Sequence, residues 1–305
     1  MIGPLILNAL FSLSFILGKF LLLYGAPIFI TAFRMLLAGV IILVFQYFRE
    51  PKSFIISPKM IWPLCILSIF NVYATNVFEY WGLQYLTSSK ACFLYNFSPF
   101  VAALFSYFMF QERMTFLKIL SLVIGFVGFL PLLLTESKAE EIVGGVSFLS
   151  WPELALLTAA VATVYGWIGM KQLVQMNYSP LTANGISMFA GGILSLLTSF
   201  VFESWNPVPV SDWSEFIVWT IPLTIVSNFI CYNLYGYLLK KYSATLMIFI
   251  GFSSPFFTAF FGWLWLNETV SWPFFLSAAI VFSALYLYYY EEIKLGYMEK
   301  IEDIE

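Results

Sequence analysis

Long apolar runs alternate with short polar stretches along most of the chain. Ten of these runs are about 20 residues long, which is the length that an α-helix needs to cross a bilayer. They predict ten membrane-spanning helices, which we number span one to span ten: 5–24, 28–47, 61–83, 89–110, 117–134, 152–172, 181–202, 215–239, 244–266 and 273–290. The loops hold most of the charge, and the longest loop, 135–150, separates two groups of five spans.

One stretch of sequence occurs twice. SPFVAALFSYFMFQE, at 98–112, returns as SPFFTAFFGWLWLNE, at 254–268, with a constant offset of 156 residues. The first copy ends span four and the second ends span nine. Because five is an odd number, the second copy enters the membrane in the opposite orientation. The closing Glu112 and Glu268 mark where each helix meets water, and we expect them to pair with backbone or a cation there.

The repeat predicts an all-α membrane protein built from two inverted five-helix repeats. The first repeat is 1–134, the external loop is 135–150, the second repeat is 151–290 and a cytosolic tail follows at 291–305. Many secondary transporters use inverted repeats related by an axis in the membrane plane, since the inverted copy supplies the opposite-facing state.

Composition agrees with a protein whose main solvent is lipid. The chain is 61% hydrophobic and 10% charged, whereas a soluble domain has about 25% charged residues. The net charge of −3 and the lack of a basic tract argue against a nucleic-acid partner. With no histidine and three scattered cysteines, most metal sites and Cys–His nucleophile pairs are excluded, and no cofactor is expected. Cys65, Cys92 and Cys231 lie in apolar runs and are expected to be small buried hydrophobic residues.

The distribution of lysine and arginine predicts the orientation. If the N-terminus is cytoplasmic, three lysines lie outside, namely Lys19, Lys90 and Lys138. Ten basic residues then lie inside: Arg49, Lys52, Lys59, Arg113, Lys118, Lys171, Lys240, Lys241, Lys294 and Lys300. Both termini are therefore predicted to be cytoplasmic, in a plasma membrane (the inner membrane of a Gram-negative cell). The N-terminal run lacks a basic region and a small-residue cleavage site, so it is interpreted as a retained span.

These residues resemble the drug/metabolite transporter superfamily, specifically its EamA-type ten-span members. The resemblance covers nearly the whole chain. It rests on the proline-to-glutamate endings of spans four and nine, and on Pro27, Arg34 and Leu37 around span two. The second repeat departs from the pattern, because Ser187 stands where Arg34 has its counterpart. The resemblance implies a central cavity lined chiefly by spans one, three, four, six, eight and nine, and carriage of a small organic solute that it does not identify.

Polar residues at helical spacing form stripes on four of the spans. The stripes are Asn8, Ser12, Phe15 and Lys19; Val72, Thr75, Asn76 and Glu79; Cys92, Asn96 and Pro99; and Asn228, Tyr232 and Tyr235. Together with Arg34, they give the candidate substrate-binding residues: Lys19, Arg34, Asn76, Glu79, Asn96, Asn228, Tyr232 and Tyr235. Arg34 or Lys19 is a candidate partner for a substrate carboxylate and Glu79 for an amine, while the aromatic faces suit a planar or apolar group.

Structural roles for the same residues remain open. Glu79 is able to pair with Lys90 or Arg34, and the asparagines are able to bond neighbouring helices. Arg34 is able to brace the scaffold, while Lys19 and Lys90 are long enough to reach the outer headgroups. Pro99 and Pro255 lie within spans four and nine, where a proline removes a helix hydrogen bond, and they are the predicted hinges.

The function predicted from these features is secondary transport of a small metabolite by alternating access. The best match to both charge signs and aromatic groups is an amino acid or an amino-acid-derived zwitterion such as S-adenosylmethionine. A lipid-linked-sugar flippase is the alternative, and a membrane enzyme is disfavoured by the single deep carboxylate. No ATP-binding G-x-x-x-x-G-K-[ST] motif is present. Proton antiport through Glu79 and a permanent Glu79 ion pair stay equally open, as do a monomer and a homodimer.

Overall fold

The structure is a computed structural model of the chain, and it describes residues 2–110, 115–135, 138–147, 149–238 and 250–294. Eight helices in these residues are long and apolar enough to cross a membrane. They correspond to spans one, two, three, five, six, seven, eight and ten: Ile2–Leu22, Pro27–Arg49, Pro58–Leu83, Phe116–Leu133, Trp151–Gln175, Pro180–Phe202, Trp213–Tyr235 and Trp272–Lys294. The chain is therefore a mostly helical, multi-pass membrane protein.

Span four consists of two short helices instead of one. Ser88–Tyr95 and Ser98–Phe110 are separated by a turn at Asn96 and Phe97. In span nine a turn at residues 252–253 precedes the helix Ser254–Leu266, and residues 244–249 lie outside the described chain. The prediction that Pro99 and Pro255 interrupt continuous helices is therefore wrong. Each is the second residue of a new helix, where its missing N–H costs nothing.

Spans three and eight share a different irregularity, an eight-residue π-helical segment. The segment is Leu67–Ala74 in span three and Thr224–Cys231 in span eight, with α-helix before and after it in both spans. A π turn bonds each residue to the fifth residue along and so holds one more residue than an α turn. Both segments lead directly into predicted site residues, namely Asn76 and Glu79 in one span and Tyr232 and Tyr235 in the other.

Spans two and seven pack against each other at a reciprocal glycine crossing. Gly39 and Gly192 are each the thirteenth residue of a 23-residue helix. A Cβ atom added to Gly39 would lie 2.6 Å from the Phe189 backbone nitrogen, and one added to Gly192 would lie 2.9 Å from that of Leu36. The two backbones therefore approach as closely as glycine alone permits. Spans five and ten also pack together, with Gly128 against Val281.

Two acidic residues cap helices that belong to the other half of the chain. Glu268, after span nine, accepts hydrogen bonds from the Ser88 backbone nitrogen at 2.9 Å and from the Ser88 hydroxyl at 3.1 Å. Glu203, after span seven, accepts from the backbone nitrogens of Ile28 and Phe29 at 2.7 and 2.9 Å. Carboxylates at helix N-termini satisfy free N–H groups and oppose the helix dipole. The structural role predicted for Glu268 is confirmed, while Glu112 lies outside the described residues.

Lys90, near the N-terminal end of span four, lies in a buried ionic network. Its Nζ atom is 2.7 Å from Glu140 Oε1, 2.7 Å from Glu153 Oε1 and 2.5 Å from the Thr135 carbonyl oxygen. The expectation that Lys90 reaches the headgroups or pairs with Glu79 is wrong.

The segment between the two groups of spans is ordered into small elements. A short helix, Lys138–Val143, is followed by a two-residue antiparallel hairpin, Gly145–Val146 with Leu149–Ser150, which departs slightly from an all-α fold. Ser150 then begins span six with a capping box that includes Glu153. Of the three cysteines, Cys92 and Cys231 are buried as predicted, but Cys65 is exposed, so that prediction is wrong for Cys65.

Candidate functional site

Arg34 is a buried cation that forms no salt bridge with an acidic side chain among the residues that the structure describes. It lies in span two with 2% of its surface exposed. Its Nη2 atom donates to Asn76 Oδ1 at 2.6 Å, and its guanidinium carbon lies 4.9 Å from the centre of the Tyr80 ring. The Arg34 Nε atom is buried without a hydrogen-bond partner. Both ion pairs in the described part of the chain involve Lys90, so Arg34 retains hydrogen-bonding capacity for an anionic ligand.

Asn76 connects Arg34 to the π-helical segment of span three. Its Oδ1 atom accepts from Arg34, while its Nδ2 atom donates to the Val72 carbonyl oxygen at 2.8 Å and to that of Asn71 at 3.4 Å. The Tyr232 side chain of span eight lies near the Asn76 side chain. A single carboxamide therefore bonds both span two and its own π turn, next to span eight.

Glu79 lies one helical turn beyond Asn76 and is half-buried. Among the described residues its carboxylate has no ion-pair partner within 4.0 Å. Arg34, Tyr95 and Tyr232 all lie within electrostatic range of it. The structure thus brings the acid and the guanidinium to the same region without a direct bond between them. An amine and a carboxylate on one ligand match such a separated pair.

Three aromatic side chains adjoin this polar region. The Trp167 ring of span six lies 6.1 Å from the ring of Tyr232 and 5.1 Å from that of Tyr235, measured between ring centres. All three are half-buried. Ring faces of this kind attract cations and stack on planar groups. Tyr95, edge-on to Phe15 with a 6.1 Å separation, extends the aromatic wall toward spans one and four.

The remaining predicted residues have local partners. Asn228 is fully buried and donates to the sulfur atoms of Met35 and Met188 at 3.2 and 3.8 Å. Asn96 donates back to the Cys92 carbonyl oxygen at 2.8 Å, at the end of its own short helix. Lys19 is half-buried near the end of span one, within electrostatic range of Glu268. The structure therefore groups Arg34, Asn76, Glu79, Tyr232 and Tyr235 and does not bond Lys19 or Asn96 to them.

The start of the helix that contains Pro255 is bonded to span one. Ser254 donates to Asn8 Oδ1 at 2.9 Å, and the Ser254 carbonyl oxygen accepts from the Ser12 hydroxyl at 2.8 Å. The polar stripe of span one thus bonds the break in span nine. A hinge role for the two prolines stays a prediction.

Sequence reasoning missed Trp167, Tyr95 and Asn71. Trp167 lies two residues before Gly169 in an apolar span and carries no polar signal of its own. Asn71 is buried, with Nδ2 at 3.3 Å from Thr163 Oγ1 of span six. It lies outside the α-helical stripe of Asn76 because the π segment adds a residue to the turn. Within the described residues no group of three His, Cys, Asp or Glu side chains is placed to hold a metal ion.

Comparison with known proteins places the chain in a family. The sequence profile of the EamA-like transporter family matches residues 2–134 and 150–290. An S-adenosylmethionine/S-adenosylhomocysteine transporter of Chlamydia muridarum is 39% identical over 297 residues, covering 96% of this chain and 92% of that protein. The protein of the same name from Chlamydia trachomatis serovar L2 is 40% identical, with 96% and 90% covered.

A solved crystal structure shares the fold. It superimposes with a TM-score of 0.66 at 17% sequence identity, and 96% of each chain is covered. At this identity the likeness concerns the fold alone.

Proposed function

Because the chain belongs to the EamA-like transporter family, we propose that it is a secondary transporter that carries S-adenosylmethionine and S-adenosylhomocysteine by alternating access. The observation that carries this proposal is the identity of about two residues in five, along nearly the whole chain, to the two chlamydial transporters with that name. The site supports it independently, because its chemistry matches parts that both solutes share.

Each part of the solute has a candidate partner. Arg34, with its free Nε, receives the α-carboxylate, and Glu79 receives the α-ammonium group. The rings of Trp167, Tyr232 and Tyr235 receive the adenine and the sulfonium. Ring faces attract the sulfonium of S-adenosylmethionine without excluding the neutral thioether of S-adenosylhomocysteine. One site therefore accommodates both molecules, and this allows one to be exchanged for the other.

We further propose that the ten spans form two inverted five-helix repeats. The twin π segments of spans three and eight support this arrangement, as does the reciprocal crossing of Gly39 with Phe189 and Gly192 with Leu36. Both termini are cytoplasmic in this proposal, on the basis of the lysine and arginine distribution, and the membrane is the plasma membrane. A proton that competes with the substrate at Glu79 would supply antiport.

Binding and transport are tested separately with purified protein. In detergent, S-adenosylmethionine and S-adenosylhomocysteine are each expected to raise the melting temperature, because a ligand that binds only the folded state stabilises it. Methionine and adenosine, which each carry part of the molecule, serve as controls and are expected to shift it less. In proteoliposomes preloaded with S-adenosylhomocysteine, external labelled S-adenosylmethionine is expected to accumulate. A protein that neither solute stabilises and that takes up neither would contradict the proposal.

A further inference from the structure

Asn71 and Asn228 occupy the same position in the two π segments but contact different partners. Each is the fifth residue of its eight-residue segment, and each is at most 2% exposed. Asn71 donates to the hydroxyl and carbonyl oxygens of Thr163 at 3.3 and 3.4 Å. Asn228 donates instead to the sulfur atoms of Met35 and Met188. The two halves of the protein therefore differ in structure at a point where their sequences agree.

The two methionines are themselves equivalent. Met35 and Met188 are each the ninth residue of the 23-residue helices that begin at Pro27 and Pro180, and both are fully buried. They belong to one apolar cluster, which we call the methionine pair. Val72 is part of this cluster and Phe229 packs against it. Since these residues directly follow Asn71 and Asn228, Asn71 lies one residue away from the contact that Asn228 makes.

Neither asparagine has a fully satisfied side chain. The Oδ1 atoms of Asn71 and Asn228 are both buried without a hydrogen-bond partner. Thioether sulfur is a weak acceptor, and the two Thr163 contacts are long for N–H···O bonds. The arrangement is thus held by weak bonds on both sides, as expected of an element that has a second arrangement of similar free energy.

We propose that Asn71 and Asn228 are the two positions of a switch, and that the asparagine seated on the methionine pair sets the side to which the cavity opens. In the state whose cavity opens to the other side of the membrane, Asn71 contacts the methionine pair and Asn228 turns toward span one. The change requires a rotation by one residue, about 100° in a helix, and a π segment supplies it when its extra residue is released or taken up. Asn76 and Glu79 follow one segment and Tyr232 and Tyr235 follow the other, so the same rotation moves the substrate site.

The alternative is that both asparagines are permanent bonds between helices. If so, Asn71 never approaches the methionine pair.

Pairs of introduced cysteines distinguish the two hypotheses in a chain whose Cys65, Cys92 and Cys231 are replaced by alanine. Asn228→Cys with Met35→Cys tests the contact in this structure and is the matched control. Asn71→Cys with Met188→Cys tests the contact of the opposite state.

We expect both disulfides to form in the membrane under mild oxidation. Formation of the control disulfide without the Asn71–Met188 disulfide would overturn the proposal. The disulfide yield does not depend on which solute is carried. Failure of S-adenosylmethionine transport is therefore distinguishable from failure of the switch.

If a double-cysteine variant does not fold, single substitutions give the same test. Leucine favours the apolar methionine pair over the Thr163 oxygens, so Asn71→Leu and Asn228→Leu should favour opposite states. A cysteine at position 19, near the end of span one, reports the state through its rate of labelling by an impermeant maleimide from outside. The two variants are expected to shift that rate in opposite directions. A shift in the same direction, or no shift, would overturn the proposal.

Discussion

The guanidinium of Arg34 and the carboxamide of Asn76 are joined by a 2.6 Å hydrogen bond between spans two and three. This bond holds the guanidinium beside a neutral acceptor, and in the proposed site the charge therefore remains available to a substrate carboxylate. Asn76 also donates two bonds to the π segment of span three. Through Asn76, Arg34, the proposed partner of the substrate carboxylate, is therefore connected to that segment. Binding at Arg34 is therefore expected to be sensitive to small changes at position 76.

Asn76→Asp is the sharpest change at this position. The new carboxylate would pair with Arg34 in a buried setting and neutralise the charge that we propose binds the substrate carboxylate. We expect a folded protein whose melting temperature no longer rises with S-adenosylmethionine. Asn233→Asp is the matched control. Like Asn76, Asn233 is the second residue of the helix that follows a π segment, but its side chain donates to the Phe229 carbonyl oxygen of its own span. A ligand-dependent shift that persists in Asn76→Asp would contradict the role of Arg34.

Removal of polar groups should lower transport in a graded way. In the proposed site, Asn76→Ala and Tyr232→Phe would each leave a polar group of the substrate without its partner, at a cost of about 1–3 kcal/mol of binding free energy. Asn96→Ala should have the same effect if Asn96 binds substrate as the sequence predicts, although among the described residues its amide bonds its own short helix. Labelled uptake at several substrate concentrations, normalised to the amount of protein, measures the effect. Normal transport in all three variants would exclude these spans from the cavity.

Glu79→Gln tests the coupling to protons. The substitution keeps the shape of the side chain and removes its titration. If a proton competes with the substrate at Glu79, the variant should lose accumulation driven by a pH gradient and retain exchange of internal for external substrate. Proteoliposomes with and without an imposed gradient measure both quantities. Unchanged gradient-driven accumulation would remove Glu79 from the mechanism.

Lys90→Met should destabilise the fold without changing the site. It leaves Glu140 and Glu153 buried without their cation, and breaking a buried ion pair typically costs about 3–5 kcal/mol. Melting in detergent measures the loss, and Lys59→Met, at an exposed position, is the control. Adding Glu140→Gln and Glu153→Gln to Lys90→Met should restore part of the stability. A melting temperature equal to that of the unsubstituted protein would show that the network contributes little.

The orientation is open to a labelling experiment. Gly145 is exposed in the segment between the two groups of spans. In a chain without its natural cysteines, a cysteine at 145 should react with an impermeant reagent added outside intact cells, and a cysteine at 301 should not. The reverse pattern would invert the proposed topology.

Apolar length and the spacing of polar groups were sufficient to predict the eight long helices, because these properties act over a whole span. The transporter family was indicated by a resemblance in short motifs, namely the proline-to-glutamate endings of spans four and nine. The breaks in spans four and nine were predicted near the right residues. They were predicted as weak points within one helix, whereas in the structure a new helix begins at each of them. A proline inside an apolar run is compatible with a kink or with a new helix, and the neighbouring contacts decide between them.

The partners of the charged groups could not be predicted from spacing. Lys90 and Glu140 are separated by a whole span in the sequence, and only the packing of the short helix Lys138–Val143 brings them together. Asn71 was missed for a different reason. A π segment changes which residues share a face, and no residue type in Leu67–Ala74 distinguishes that segment from an α-helix.

The caps formed by Glu203 and Glu268 make the folding of the first half of the chain depend on the second half. During synthesis the first five spans enter the membrane before either glutamate exists. The backbone N–H groups of Ile28, in span two, and of Ser88, in span four, therefore lack these acceptors until the second half has been inserted. A gene cut between the halves should yield two fragments that are each degraded when expressed alone. Their joint expression should rescue both, and a second fragment carrying Glu203→Ala and Glu268→Ala should rescue the first one poorly.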